Sequence, residues 1–351
     1  MPSSGSSPPH RSAESIGTVA VTGATGHIGV NLCRALLAEG RAVRAISRRP
    51  LPGEIGGAEW VQADVRDAAA VRAALAGCDT VFHLAAAISI AGDRDGSVWA
   101  TNVTGTRNVV EAALANGVGR LVHCSSLSAF DSERHDRELD ETAPPADRAE
   151  LPVYDRSKAA ADGIARAAVA QGLDAVIVHP TGVIGPLDLG PSRMGRVLHA
   201  IARRRLLGLV SAGFDWVDVR DVCDGMLAAE RLGRSGEGYL LGGDWAALPR
   251  IARLTAAANG VQPPSFTLPL GVAVAVAPLV ATVVRGGGFT PEAMRALRHA
   301  QRVSHAKATD ELGYAPRPLT ETVHDLVEWL IESGRLRRHG EPLRRRGQAE
   351  R

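Results

Sequence analysis

From residue 18 onward, short apolar runs rich in β-formers alternate with longer Ala- and Leu-rich stretches of helical periodicity. The short runs predict strands over Thr18–Thr22, Ala42–Ser47, Glu59–Gln62, Thr80–Leu84, Arg120–Cys124 and Ala175–His179. The longer stretches predict helices near 28–39, 68–76, 98–116 and 155–171. Strands joined by helical crossovers pair in parallel, and right-handed crossovers lay helices on both faces of the sheet. The expected architecture is α/β, a doubly wound parallel sheet. After Pro180 the alternation weakens, and residues 187–215 and 244–333 read as a smaller substrate lobe. A strand-like Gly238–Leu241 within 216–243 predicts that the chain returns to the main sheet, which interleaves the lobe with the domain of residues 16–186.

With 45% hydrophobic and 22% charged residues, the composition excludes a disordered, collagen-like or multi-span membrane chain. The net charge of +2 hides an uneven distribution: residues 335–351 hold seven arginines against two glutamates, which leaves about −3 on the rest. Such a body does not read as a nucleic-acid binder, and residues 334–351 read as a basic disordered tail. Residues 1–15, MPSSGSSPPHRSAES, lack an apolar core and read as a disordered leader rather than a secretory signal. Cys33, Cys78, Cys124 and Cys223 form no C-x-x-C pair and no metal-ligand spacing, which fits reduced thiols in the cytoplasm and no metal site. The uncharged run Leu268–Val284 is broken by Pro269, Gly271 and Pro278, so no transmembrane span is expected. Two readings of it stay open, an apolar core or lid segment and a peripheral membrane contact.

The stretch Thr22-Gly23-Ala24-Thr25-Gly26-His27-Ile28-Gly29 follows the first strand and opens the first helix. In that context its glycines let backbone N–H groups approach a pyrophosphate, and Gly29 allows close helix-to-strand packing, as in the Rossmann arrangement. The second strand ends in Ile46-Ser47-Arg48-Arg49, with no carboxylate for a ribose 2′-hydroxyl and two guanidiniums suited to a 2′-phosphate. NADP is therefore favoured over NAD. Asp64 is placed to meet the adenine amino group, and Ala85 and Ala86 leave room for the nucleotide. With Val65, Leu84, Pro180, Thr181 and Val183 these residues complete the expected cofactor-binding set.

Tyr154 and Lys158, at i and i+4 near the start of a predicted helix, share one face. A phenol with a pKa near 10 is a poor proton donor and acceptor at neutral pH, and a nearby ammonium favours its ionised form. The chain has only three tyrosines and two lysines, Lys158 and Lys307, so chance explains this pairing poorly. Cys124-Ser125-Ser126-Leu127-Ser128 places hydroxyls at the carboxyl edge of the sheet, where one can polarise a carbonyl. Asn102 interrupts an apolar helix, as a buried hydrogen-bond relay or a local kink.

Taken together, TGATGHIG, NVTGTRNVVEAA, LVHCSSLSAF, YDRSK, VHPTGVIGP, FDWVDVRDVCDGMLAA and SHAKATDELGY resemble the extended short-chain dehydrogenase/reductase superfamily over residues 17–333. The resemblance is to the dihydroflavonol-reductase and 3β-hydroxysteroid-dehydrogenase-like branch of the NAD-dependent epimerase/dehydratase family. It implies that Ser126 is the catalytic serine, Tyr154 the general acid/base, Lys158 its partner and Asn102 a supporting residue. It also implies that Thr181 and Val183 flank the nicotinamide, and that the protein is a homodimer through the helices near 98–116 and 154–171. Sugar-nucleotide epimerases of the family carry Arg-Asp-Phe where this chain reads Ala212-Gly213-Phe214. The expected function is an NAD(P)-dependent oxidoreductase for a ketone or secondary alcohol on an apolar small molecule. A sugar-nucleotide epimerase or dehydratase using bound NAD, and a non-catalytic NADP-binding sensor, remain as alternatives.

Overall fold

The computed structural model describes residues 17–89, 92–135, 138–206, 208–273 and 302–340. Its strands are β1 (Thr18–Thr22), β2 (Val43–Ser47), β3 (Glu59–Gln62), β4 (Cys78–His83), β5 (Arg120–Cys124), β6 (Ala175–Pro180), β7 (Gly182–Ile184), β8 (Gly208–Ser211), β9 (Gly213–Asp218), β10 (Gly238–Leu241), β11 (Asp244–Ala247) and β12 (Phe266–Pro269). Among the described residues, seven strands form one sheet in the order β10-β6-β5-β4-β1-β2-β3. Every pairing in it is parallel.

The helices follow from where the chain must cross over that sheet. They are α1 (His27–Ala38), α2 (Ala68–Ala74), α3 (Ser97–Trp99), α4 (Gly105–Ala115), α5 (Val153–Val169), α6 (Arg193–Ala202), α7 (Val219–Leu232), α8 (Leu248–Ala258), α9 (Ala306–Leu312) and α10 (Leu319–Glu332). One face of the sheet packs α1, α7 and α9, and the other packs α2, α4 and α5. Val19, Ala20 and Val21 of the central strand are all fully buried, as the uninterrupted apolar run of a doubly covered strand requires. On α1, Leu32 and Leu36 stand one turn apart and are fully buried, which contributes roughly 1.5–3 kcal/mol each.

β10 returns to the main sheet beside β6, as the apolar run at Gly238–Leu241 predicts. β9 does not join it: β9 pairs with β7 and β11 in a separate three-stranded sheet, and β8 pairs with β12. A second core forms there, where α6, α8 and α10 pack around Trp216, Ile251 and Leu326. These strands of three to six residues were not read from the sequence, because they lie in the irregular stretch after Pro180, where the strand–helix alternation weakens.

Leu336 is buried, Arg338 pairs with Glu328, the Arg335 guanidinium lies 5.3 Å from the Trp329 ring, and its carbonyl accepts from His199. Residues 334–340 thus touch α10 and α6 through Leu336, Arg338 and Arg335 although most of them are exposed; 341–351 lie outside the described residues, as do 1–16. Of the apolar run Leu268–Val284, the first two residues close β12, and residues 274–284 lie outside the described residues.

Candidate active site

In the strand order 3-2-1-4-5-6, connections leave in opposite directions between β1 and β4, and a crevice opens there at the carboxyl ends. β1 enters it through Gly23, whose φ of +69° favours glycine and whose added Cβ would lie 2.8 Å from Ala85 N. At Gly29 an added Cβ would lie 2.3 Å from the Gly23 carbonyl oxygen, so helix and loop pack backbone to backbone. No side chain caps α1 at Gly26, so its first N–H groups and the positive end of its dipole face an anion site. Thr25, half-buried, stands in this turn, and Ile28 packs on the core below. His27 turns aside: its Nε2 donates to the Pro186 carbonyl at 3.0 Å, and Asn31 Nδ2 donates to the same oxygen at 3.2 Å. His27 thus ties the segment after β7 to α1.

At the β2 and β3 ends, the buried Ser47 hydroxyl donates to Arg49 O at 2.5 Å and accepts from Trp60 Nε1 at 3.1 Å. That turn leaves the Arg48 and Arg49 side chains exposed. Asp64 is half-buried at the end of β3, and Arg66 Nη2 holds its carboxylate at 2.6 Å. Hydrogen bonds from Arg66 keep Asp64 below the ordinary carboxylate range against the opposing effect of burial, and the Arg48 charge adds to the lowering. Val65 is buried, its side chain against Gly105 and its carbonyl accepting from Asn108 Nδ2. The glycine turn, the uncapped helix and the two exposed guanidiniums fit a dinucleotide, which these residues would hold.

Between the two ends, Thr22 Oγ1 accepts from Leu84 N at 3.1 Å and Ala85 N at 3.2 Å, which sets the course of the chain past the exposed Ala86. Asn102, 2% exposed, sits in a π-helical turn at Ala100–Thr104 that joins α3 to α4. Its Oδ1 accepts from Ala87 N at 2.8 Å, and its Nδ2 donates to Ala87 O at 3.0 Å and to Ser157 Oγ at 2.9 Å. Both sequence readings of Asn102, relay and kink, describe the same feature, since one extra residue in the turn aims the amide at the 84–89 segment.

Tyr154 lies in the first turn of α5, whose Ser157 hydroxyl donates to the Tyr154 carbonyl at 2.7 Å. The residue is half-buried, and its phenol lies near the Ser126 hydroxyl. Ser126 follows β5, and its hydroxyl accepts from Ser128 N at 3.2 Å. Burial pushes the phenol up to about 12, and the Ser126 hydroxyl works the other way. On the same face of α5, the Lys158 ammonium donates to Cys124 O at 3.0 Å. Pro180, Thr181 and Val183 follow at the next strand end, where Thr181 N donates to Leu241 O at 3.3 Å and Val183 pairs with Val217. Asp155, pushed up to about 6 by burial against a hydrogen bond from Ser128, also lies here and was not read from the sequence. Nor were the histidines His83, His123 and His179, although each stands at or next to the end of a successive sheet neighbour.

The sequence pattern of the NAD dependent epimerase/dehydratase family matches residues 19–242, from β1 through β10. The chain belongs to this family. It is 34% identical to the sterol demethylase protein B of Methylococcus capsulatus, over 90% of this chain and 99% of that one. It is 31% identical to a putative dihydroflavonol 4-reductase of Synechocystis, over 90% and 94%. The solved structure of MoeE5 in complex with UDP-glucose and NAD superposes with a TM-score of 0.73 at 25% identity, covering 90% of this chain and 99% of that one. As a member of the family, the protein is an NAD(P)-dependent oxidoreductase acting on CH–OH or carbonyl groups. Among the described residues, no helix is long and apolar enough to cross a membrane, and no cluster of side chains could hold a metal ion.

Proposed function

We propose that the protein reduces a ketone, or oxidises the corresponding secondary alcohol, on an apolar small molecule, with NADP(H) as its preferred cofactor. The observation that carries the reading is the placement of Tyr154 and Lys158 one turn apart on α5 at the crevice, packed against the turn that Ser126 opens after β5. Bound nicotinamide supplies or accepts the hydride. Ser126 and Tyr154 hydrogen-bond the carbonyl oxygen, and the phenol donates its proton there as the oxygen gains charge. A phenol kept protonated by burial suits that donor role. Lys158 has donors beyond the one spent on Cys124 O, suited to a ribose hydroxyl of the cofactor. Asn102 keeps the 84–89 segment and α5 in register.

Ile88, 68% exposed and adjacent to the Asn102-held Ala87, supports an apolar substrate, as does the similarity to proteins named for a sterol and a dihydroflavonol. Arg48 and Arg49 support NADP over NAD, since their guanidiniums offer planar forks to a 2′-phosphate. The second core around Trp216 serves in this reading as the substrate lobe, and the four free, buried cysteines fit a reducing, cytoplasmic setting. The test is titration of tryptophan fluorescence with NADPH and NADH, followed by turnover on a panel of apolar ketones. Preference for NADPH with turnover lost in Tyr154→Phe is the expected result. Retention of NAD with turnover on nucleotide sugars alone would overturn it, and binding without any turnover would indicate a sensor.

A further inference from the structure

Three buried histidines line the strand ends beneath the catalytic helix, and they are not equivalent. His83 is fully served: its Nδ1 lies 2.7 Å from Thr22 Oγ1 and its Nε2 lies 3.0 Å from Thr106 Oγ1. Thr22 Oγ1 already accepts two backbone N–H groups and Thr106 donates to Asn102 O, which assigns His83 the neutral Nε2–H tautomer. His123 and His179 instead flank a buried carboxylate, Asp162. His179 Nε2 lies 2.8 Å from Asp162 Oδ2, and His123 Nε2 lies 3.5 Å from Oδ1. Asp162 is on α5, one turn beyond Lys158 and two beyond Tyr154, and it is 3% exposed.

Lys158 is 4% exposed, and the hydrogen bond it makes goes to a neutral carbonyl. A buried ammonium and a buried carboxylate each cost several kcal/mol when unpaired, and opposite charges one helical turn apart offset that cost. We propose that Asp162, hydrogen-bonded to His179 through one oxygen and left without a hydrogen-bond partner on the other, is the counter-charge of Lys158 and thereby a positioning residue for the Lys158–Tyr154 pair. The inference rests on the catalytic reading given above.

The groups facing the pair agree with it. Burial pushes the Lys158 amine down, and of the two acidic groups that push it back up, the Cys124 thiol and the Asp162 carboxylate, Asp162 is the carboxylate. Burial works against the Asp162 carboxylate, yet His179 and His123 hold it well below the ordinary range. On β4 and β5, burial drives His83 and His123 toward the neutral form, so neither competes as a cation. The neighbouring Cys124 thiol is pushed up to about 11 by burial and stays protonated. Tyr154, on the same helix, is neutral for the same reason. Among the described residues, Asp162 is thus the carboxylate that answers the Lys158 charge.

Two lysines in the whole chain make the test direct. The full-length protein labelled with 15Nζ-lysine gives two side-chain resonances, and Lys307→Arg identifies that of Lys158. In the wild type the Lys158 ammonium should persist through pH 8; loss of its proton below pH 7 would overturn the proposal without any variant. In Asp162→Asn its titration midpoint should fall by at least about one pH unit, a tenfold change in proton affinity. An unchanged midpoint in the folded variant would also overturn it. A side chain that merely fills space would not move this titration. The readout needs no substrate, so absence of ketone turnover in the wild type would sink the catalytic reading and leave this result standing.

Discussion

The two ends of the crevice are built on opposite terms. At the end proposed as catalytic, Asn102 makes three hydrogen bonds and Lys158 and Asp162 lie out of solvent. At the adenosine end, three strand spacings or about 14 Å away, Arg48 and Arg49 stand exposed beyond a turn that only Ser47 and Trp60 brace. A site that must hold proton donors in fixed geometry takes its precision from buried partners. A site that only has to answer a phosphate charge can leave its cations in water, at little cost to the fold.

The sharpest break in that contrast is Tyr154→Phe, which should lower kcat by about 10²- to 10⁴-fold while NADPH affinity is retained, as paired turnover and fluorescence titrations would read. Next in size, Gly29→Ala forces a methyl against the Gly23 carbonyl; a loss of roughly 1–3 kcal/mol in denaturant unfolding, with weakened binding of both cofactors, is expected. Asn102→Ala strands the Ala87 N–H and C=O and should cost about 2 kcal/mol, with kcat falling more than cofactor affinity. Arg48→Ala combined with Arg49→Ala should weaken NADPH by about tenfold, leave NADH within twofold and leave Tm unchanged. Equal losses for the two cofactors would remove the adenosine end from the comparison.

The smallest effect is a pH slope. Asp155 holds its proton to about pH 6 in the folded protein, whereas an unfolded aspartate releases it near pH 3.9. Between those values the folded state binds more protons, so stability falls as pH rises through that window and stays lower above it. Asp155→Asn should flatten the slope between pH 4 and 6 and raise Tm at pH 7; an unaltered slope would place the pH dependence elsewhere.

Much of this was legible in the residues. The six predicted strands and Gly238–Leu241 all join the main sheet, because strands buried on both faces are written as continuous apolar runs. The glycine turn was legible because its spacing has a backbone reason, which the contacts at Gly23 and Gly29 bear out. β7, β9 and β11 were not legible, since they form a small sheet outside the alternating strand–helix pattern that marks the doubly covered strands. The Arg66 grip on Asp64 was missed although the two residues are near neighbours, because sequence proximity does not say whether a carboxylate faces a ligand or a guanidinium.

By itself the amino-acid sequence determined the doubly wound sheet and the residues gathered at its edge, since each is encoded in local periodicity or spacing, while the family was legible through the resemblance of its motifs. Only the tertiary structure decided what surrounds those residues. It turned Lys158 onto the Cys124 carbonyl, raised the Tyr154 phenol by burial, and set Asp162 between two histidines from neighbouring strands. Desolvation and charge pairing depend on which groups meet in space, and groups from β5, β6 and α5 meet only once the chain has folded.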